Sequence, residues 1–108
     1  MPTSAVLGEW EQLLLLSALR LGDRAAAVQI RRDLTAVIGR PPSRGALYRT
    51  LDRLEDKGYV RWAIEAASAD RGGHARRVYT VTPIGIGALR VSRRTLLGLW
   101  KGVEGVLK

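Results

Sequence analysis

Apolar residues recur along this 108-residue chain with two periods, and the switch between them falls at Gly58. Before it the spacing is helical. In EWEQLLLLSALRL, from residue 8 or 9 to about 21, Trp10, Leu13, Leu14, Ser17 and Leu21 share one face, while Leu15, Leu16 and Leu19 spread apolar surface nearly all round. A helix apolar on every side is either central in a core or shared with a partner chain. Residues 1–7 read as a short flexible arm. Gly22 ends the first helix and Asp23 is a good N-cap for a second over residues 24–38. That second helix should bury Ala27, Ile30, Leu34, Val37 and Ile38 and turn Gln29, Arg31, Arg32 and Asp33 outward. Gly39 closes it. Arg40-Pro41-Pro42 forms an extended linker, because a residue before proline avoids the α region. Ser43 then caps a third helix over residues 44–57, which Gly58 terminates.

After Gly58 the period becomes two. Val60, Trp62 and Ile64 alternate with Arg61, Ala63 and Glu65, the pattern of a half-buried strand. Residues 67–75 have turn composition centred on Gly72-Gly73. A second alternating run, residues 76–82, puts Tyr79 and Val81 on one face and Val78 and Thr80 on the other, so the two runs predict a β-hairpin. Thr82-Pro83 opens a last helix, with a threonine cap and proline in the first turn, reaching roughly residue 106. Along it Ile86, Leu89, Arg93, Leu96, Trp100, Val103 and Leu107 follow alternating steps of three and four, a coiled-coil-like seam broken only by Arg93. A second copy of the chain is the natural cover for that seam, with docking onto the chain's own first helix as the alternative. Gly98, Gly102 and Gly105 fall on the opposite face, marking either a close backbone approach or a frayed end.

Helix, helix, helix, strand, loop, strand, helix is the order of a winged helix-turn-helix, mostly α within an α+β class. Residues 1–82 would form the DNA-binding unit, its first helix shared with the dimer interface, and residues 83–108 a dimerisation helix of the same compact unit. Charge agrees with this order. The chain carries 18 basic against 10 acidic residues, a net charge of +8, and all but three of the basic residues are arginine. Arginine's planar fork suits phosphate and guanine edges. With no cysteine and one histidine, neither a disulfide framework nor a metal cluster is expected, and no cofactor. No acid–base or nucleophile cluster points to an enzyme. The stretch before residues 13–16 is acidic, unlike a signal peptide, and no apolar run reaches the length of a membrane span. A soluble cytoplasmic protein without membrane contact is the expectation.

The third helix carries the proposed chemistry. Leu47, Leu51 and Leu54 stay within about 60° of one another on a helical wheel and hold it to the core. Ser43, Arg44 and Gly45 leave backbone N–H groups free to bind a phosphate oxygen. Tyr48 could donate its hydroxyl to phosphate, and Arg49 could reach base edges. Arg53 is expected to make backbone contacts or surface ion pairs, as is Lys57. In the hairpin, Arg71, Gly72, Gly73, His74, Arg76 and Arg77 form a thin basic tip suited to a minor groove or flanking phosphates. The alternative reading is an adaptor that works through protein contacts or binds DNA without sequence preference.

Four segments carry a family resemblance: LGEWEQLLLLSALRLGD at 7–23, VQIRRDL at 28–34, GALYRTLDRLEDKGYV at 45–60 and RRVYTVTPIGIGAL at 76–89. On these the chain resembles the PadR-like family of winged-helix transcriptional regulators over nearly its whole length. The resemblance implies a homodimer, joined through the last and first helices, that binds an inverted-repeat operator in double-stranded DNA and usually represses. It places Ser43, Tyr48 and Arg49 at the start of the recognition helix and residues 72–77 in the wing. Trp10, Leu14, Leu89, Leu96, Trp100, Val103 and Leu107 would line the dimer interface. Because some members hold flat aromatic ligands there, Trp10 and Trp100 are candidates for an effector pocket. Two positions depart from the family pattern. Ala26-Ala27 replaces a Tyr-Gly pair, and Arg49 stands where proline often follows the tyrosine.

Overall fold

The computed structural model describes residues 6–66 and 73–107. Its elements are α1 (Glu9–Leu21), a 3-10 turn (Gly22–Arg24), α2 (Ala27–Ile38), α3 (Arg44–Asp56), β1 (Val60–Glu65), β2 (Arg76–Val81), α4 (Pro83–Trp100) and a 3-10 turn (Glu104–Leu107). β1 and β2 form one antiparallel ladder in which Trp62 faces Tyr79 and Glu65 faces Arg76. The three first helices and this hairpin make a winged helix with α4 appended.

Local chemistry sets most boundaries. Gly8 precedes α1 and donates its N–H to Glu11 Oε1 at 3.1 Å. Ser43 Oγ accepts from the Ala46 N–H at 3.1 Å and starts α3. At the other end Gly58, at φ 78°, donates to the Glu55 carbonyl while Tyr59 donates to that of Leu54. That pair of bonds closes a helix only when the residue after its end is left-handed, which glycine tolerates. Thr82 starts α4 by accepting from the Gly85 N–H, and its hydroxyl donates to the Gly58 carbonyl at 2.6 Å. The turn after α3 is thereby tied to the start of α4.

Gly85 is where this joint is tightest. A Cβ there would collide with the Tyr59 carbonyl oxygen and come within 2.9 Å of Val81 Cγ1. The core gathers Leu14, Leu15 and Ala18 of α1, Ile30 and Leu34 of α2, Leu47, Leu51 and Leu54 of α3, and Val60, Tyr79 and Val81 of the hairpin.

Several expectations are corrected by this packing. Asp23 does not cap α2. The chain passes through the Gly22–Arg24 turn and a tight turn at Ala25, Ala26 is extended, and α2 begins at Ala27 with Ala26 at its cap. Ala26 bridges to Val78, and the Tyr79 N–H donates to the Ala25 carbonyl at 2.9 Å, so pairing with β2 holds these residues out of the helix. Val37 and Ile38 are exposed, because α2 leaves the core after Leu34. Asp33, expected in solvent, accepts from Ser17 Oγ at 2.8 Å and pairs with Arg20 at 3.1 Å. Ile64 is exposed too, since the alternation lasts only while β1 lies over the core.

The arm is anchored where it meets α1. Leu7 is buried, its N–H donates to the buried Ser92 Oγ at 2.9 Å, and its carbonyl accepts from Gln12 at 2.8 Å. The last helix is shorter than expected. It ends at Trp100 because Lys101 turns extended and Gly102 takes φ 89°, so Val103 and Leu107 lie beyond it. Leu14 is enclosed by its own chain's core at 1% exposure and offers nothing to a partner.

The radius of gyration, 15.6 Å, exceeds the roughly 13 Å of a compact chain of this length. The excess matches α4, whose residues 93–100 are all exposed.

Candidate nucleic-acid interface

Helix α3 sits so that Leu47, Thr50, Leu51 and Leu54 face inward, leaving Arg44, Gly45, Tyr48 and Arg49 outward. Its first turn presents N–H groups without intrahelical acceptors, the polarity that attracts a phosphate. Tyr48 is 50% exposed and stands between two grooves.

The larger groove, about 680 Å³, runs between α2 and α3 and is lined by Arg31, Arg32, Thr35, Arg44 and Tyr48 over Ala27 and Leu47. The smaller, about 370 Å³, lies between α2 and the wing, with Tyr48, Arg76, Arg77 and Tyr79 in its walls. Five arginines thus converge on one tyrosine from three elements. Arg31 is fixed there by donating from Nε to the Pro42 carbonyl at 2.9 Å, which also pins the linker before α3.

The wing is stiffened by its own charges. Arg76 Nε donates to Glu65 Oε1 at 2.8 Å across the ladder. The Arg77 guanidinium lies 4.1 Å from the centre of the Trp62 ring, a cation–π contact. Trp62 Nε1 donates in turn to Glu55 at 2.9 Å, so the wing and α3 share one network. Tyr79, at the root of the wing, is buried; burial pushes its phenol above the ordinary value, and the neighbouring Arg77 only partly offsets this. Gly73 takes a left-handed φ of 82°, as a tight turn needs, and His74 follows it. Arg71 and Gly72 lie outside the described residues.

Arg53 takes the ion pair that was one of its two expected roles, and Arg49 lies along its own helix. The Arg53 guanidinium lies toward α1, 3.9 Å from Glu11 Oε2, with Lys57 Nζ donating to the same oxygen at 2.8 Å. Arg49 folds back along α3, so that a Cβ on Gly45 would meet its Nη1 at 3.1 Å. Glycine at 45 makes room for a side chain of the same helix.

The sequence reading missed Arg31, Arg32 and Thr35 as walls of the groove. Their signal was present: a helix that buries Ile30 and Leu34 must put Arg31 and Thr35 one step round, together, on the flank facing α3. Trp10 lines a separate groove of about 540 Å³ with Leu13, Ile38, Pro41 and Pro42, and Trp100 is not among its walls. Within one chain the two tryptophans do not share a pocket. Among the described residues no cluster of metal-ligating side chains occurs, and no helix is long and apolar enough to cross a membrane.

Comparison with known proteins bears on this geometry. The sequence pattern of the transcriptional regulator PadR-like family matches residues 15–91. No curated protein matches the chain. Among solved structures it is similar to a PadR family transcriptional regulator from Eggerthella lenta, at 25% identity and a TM-score of 0.68, over 90% of this chain and 82% of that one. It shares the fold of TA0346 from Thermoplasma acidophilum, at 19% identity and a TM-score of 0.68, over 88% and 89% of the two chains. It also shares the fold of hsRosR-S4, solved as a complex, at 20% identity and a TM-score of 0.66, over 96% and 89%.

Proposed function

This chain belongs to the PadR-like family of transcriptional regulators, and from that premise we propose that it represses transcription by binding an inverted-repeat operator as a homodimer in the cytoplasm. The convergence of Arg31, Arg32, Arg44, Arg76 and Arg77 around Tyr48 carries this reading. It sets a cationic, grooved face around the start of α3, where a recognition helix meets a major groove. In this reading Ser43, Arg44, Gly45 and Tyr48 take phosphate oxygens, and Arg49 swings off Gly45 to read a base edge. Gly73, His74, Arg76 and Arg77 of the wing, with Arg71 and Gly72 beyond the described residues, follow the flanking backbone.

Dimerisation uses the apolar side of α4 with the open side of α1. Trp10, Leu16, Leu19, Leu96 and Trp100 are exposed in the single chain, and Val103 and Leu107 extend the patch past the helix end. Leu89, half-buried against the core, borders it. Two recognition helices then meet half-sites about 34–36 Å apart. A flat aromatic effector would enter where Trp10 of one copy approaches Trp100 of the other.

Fluorescence anisotropy against DNA selected from a random pool and against random duplex tests the proposal. Preference for the selected site, with affinity falling steeply as salt rises, is the expected result. Arg49→Ala should cost about 1–3 kcal/mol at one base position, and Arg44→Ala should flatten the salt dependence by about one phosphate contact. Equal affinity for both DNAs would leave a non-specific binder, and no binding at low salt would end the proposal.

A further inference from the structure

Glu11 is the buried charge that DNA contact leaves unexplained. It is 7% exposed, on a helix whose other buried side chains are Leu14, Leu15, Ser17 and Ala18. Oε1 accepts the Gly8 N–H at 3.1 Å. Oε2 takes Lys57 at 2.8 Å and has Arg53 at 3.9 Å. Burial pushes the Glu11 carboxyl up, but the hydrogen bonds from Lys57 and Gly8 and the charges of Lys57 and Arg53 outweigh it and hold the group below the ordinary carboxylate value.

The two cations it holds are not idle surface residues. Arg49, Arg53 and Lys57 are spaced four apart on α3, which places them along one flank of the helix proposed to enter the groove. Asp56, exposed and three residues from Arg53 on the same helix, is within reach, yet Arg53 and Lys57 turn to the carboxylate of α1 instead. A carboxylate removed from water is screened less than an exposed one, so it outcompetes them. Both cations remain about half exposed, at 55% and 46% of their side-chain surface. They can therefore leave Glu11 without any unfolding.

We propose that Glu11 is a specificity-determining residue, which keeps Arg53 and Lys57 off phosphate and so holds sequence-independent DNA binding weak. The inference rests on the DNA-binding reading above. A helix with three free cations in a row would grip any duplex. Tethering two of them leaves recognition to Arg49, Tyr48 and the first turn. Glu11→Gln keeps the side chain's size and its acceptor oxygen for Gly8 while removing the charge that holds the cations.

The sign of the effect sets this apart from a structural role, since a variant that merely loosened α3 would bind DNA more weakly. Anisotropy titrations on random duplex between about 50 and 200 mM salt should show Glu11→Gln binding more tightly than the wild type. One added phosphate contact steepens the logarithmic salt slope by about 0.9, which is roughly a three- to fourfold change in affinity across that range. Glu9→Gln changes net charge equally from an exposed position of α1 and should gain less. The gain should vanish when Arg53→Ala and Lys57→Ala are added. A Glu11→Gln affinity equal to or weaker than wild type, or a gain matched by Glu9→Gln, overturns the inference.

Should Glu11→Gln fail to fold by circular dichroism, Arg53→Ala with Lys57→Ala in the wild-type chain decides alone. Unchanged random-DNA binding supports the tether, and weakened binding shows that both cations already reach phosphate and overturns it. A wild-type chain that binds no DNA at low salt removes the DNA-binding reading itself, a result distinct from all of these.

Discussion

Along α4, residues 83–92 pack one side into their own chain, whereas residues 93–100 leave every side chain exposed. The first stretch is over-determined. Thr82 caps it, Gly85 lies against the Tyr59 carbonyl, Ala88 and Leu89 reach the core, and Ser92 is buried against Leu7. The second stretch is as apolar, yet Leu96, Leu97, Leu99 and Trp100 remain largely exposed in the single chain, Leu99 at 72%. Helices in water draw most of their stability from tertiary packing. The contrast teaches that the chain completes its winged helix alone and carries a further stretch of helix whose apolar side calls for a cover from elsewhere.

Gly85→Ala attacks the completed half at its tightest point. A methyl group there must displace the backbone of Tyr59, and destabilisation of about 3 kcal/mol or more is expected in thermal or denaturant unfolding. A near-neutral result would mean that α4 is not seated on the turn after α3. Next in size is Ser92→Ala. It strands the buried Leu7 N–H and should lower stability by about 1–3 kcal/mol, while leaving the association state measured by sedimentation unchanged.

Charges on the open half should reverse that pattern. Leu96→Asp with Trp100→Asp is expected to convert the proposed dimer to monomer in sedimentation, yet to alter the single chain's own stability by no more than about 0.5 kcal/mol per site. A doubly substituted chain that still associates would place the interface elsewhere. The smallest effect belongs to acid. Glu11's carboxyl lies below the ordinary range in the folded chain, so its contribution is complete above the unfolded value of about 4.3 and disappears as pH falls through the lower folded value. Unfolding followed across that window should show wild type losing stability that Glu11→Gln does not lose.

Much of the fold was legible because its signals are local. Ser43 three residues before Ala46, Gly58 after Lys57, and Thr82 before Pro83 each solve a backbone problem within one turn of helix, and the structure closes each with the expected bond. The outward set of α3 was legible for the same reason, since three leucines define which side remains. Asp23 misled for the opposite reason. It is a competent cap, but the strand pairing of Ala26 with Val78 comes from a residue 52 positions away and delays the helix. Likewise Gly102 was noticed in the sequence, while its left-handed backbone, which ends α4, is a conformation no spacing reveals.

The chain's sequence by itself determined the element order, the caps of α3 and α4, the basic outward side of α3 and the family. Each depends on periodicity, turn chemistry or charge within a few residues. Only the tertiary structure decided which charges are spent internally. Asp33 goes to Ser17 and Arg20, Glu65 to Arg76, and Glu11 to Lys57 and Arg53. An ion pair forms between side chains that folding brings within about 4 Å, and distance along the chain says little about that.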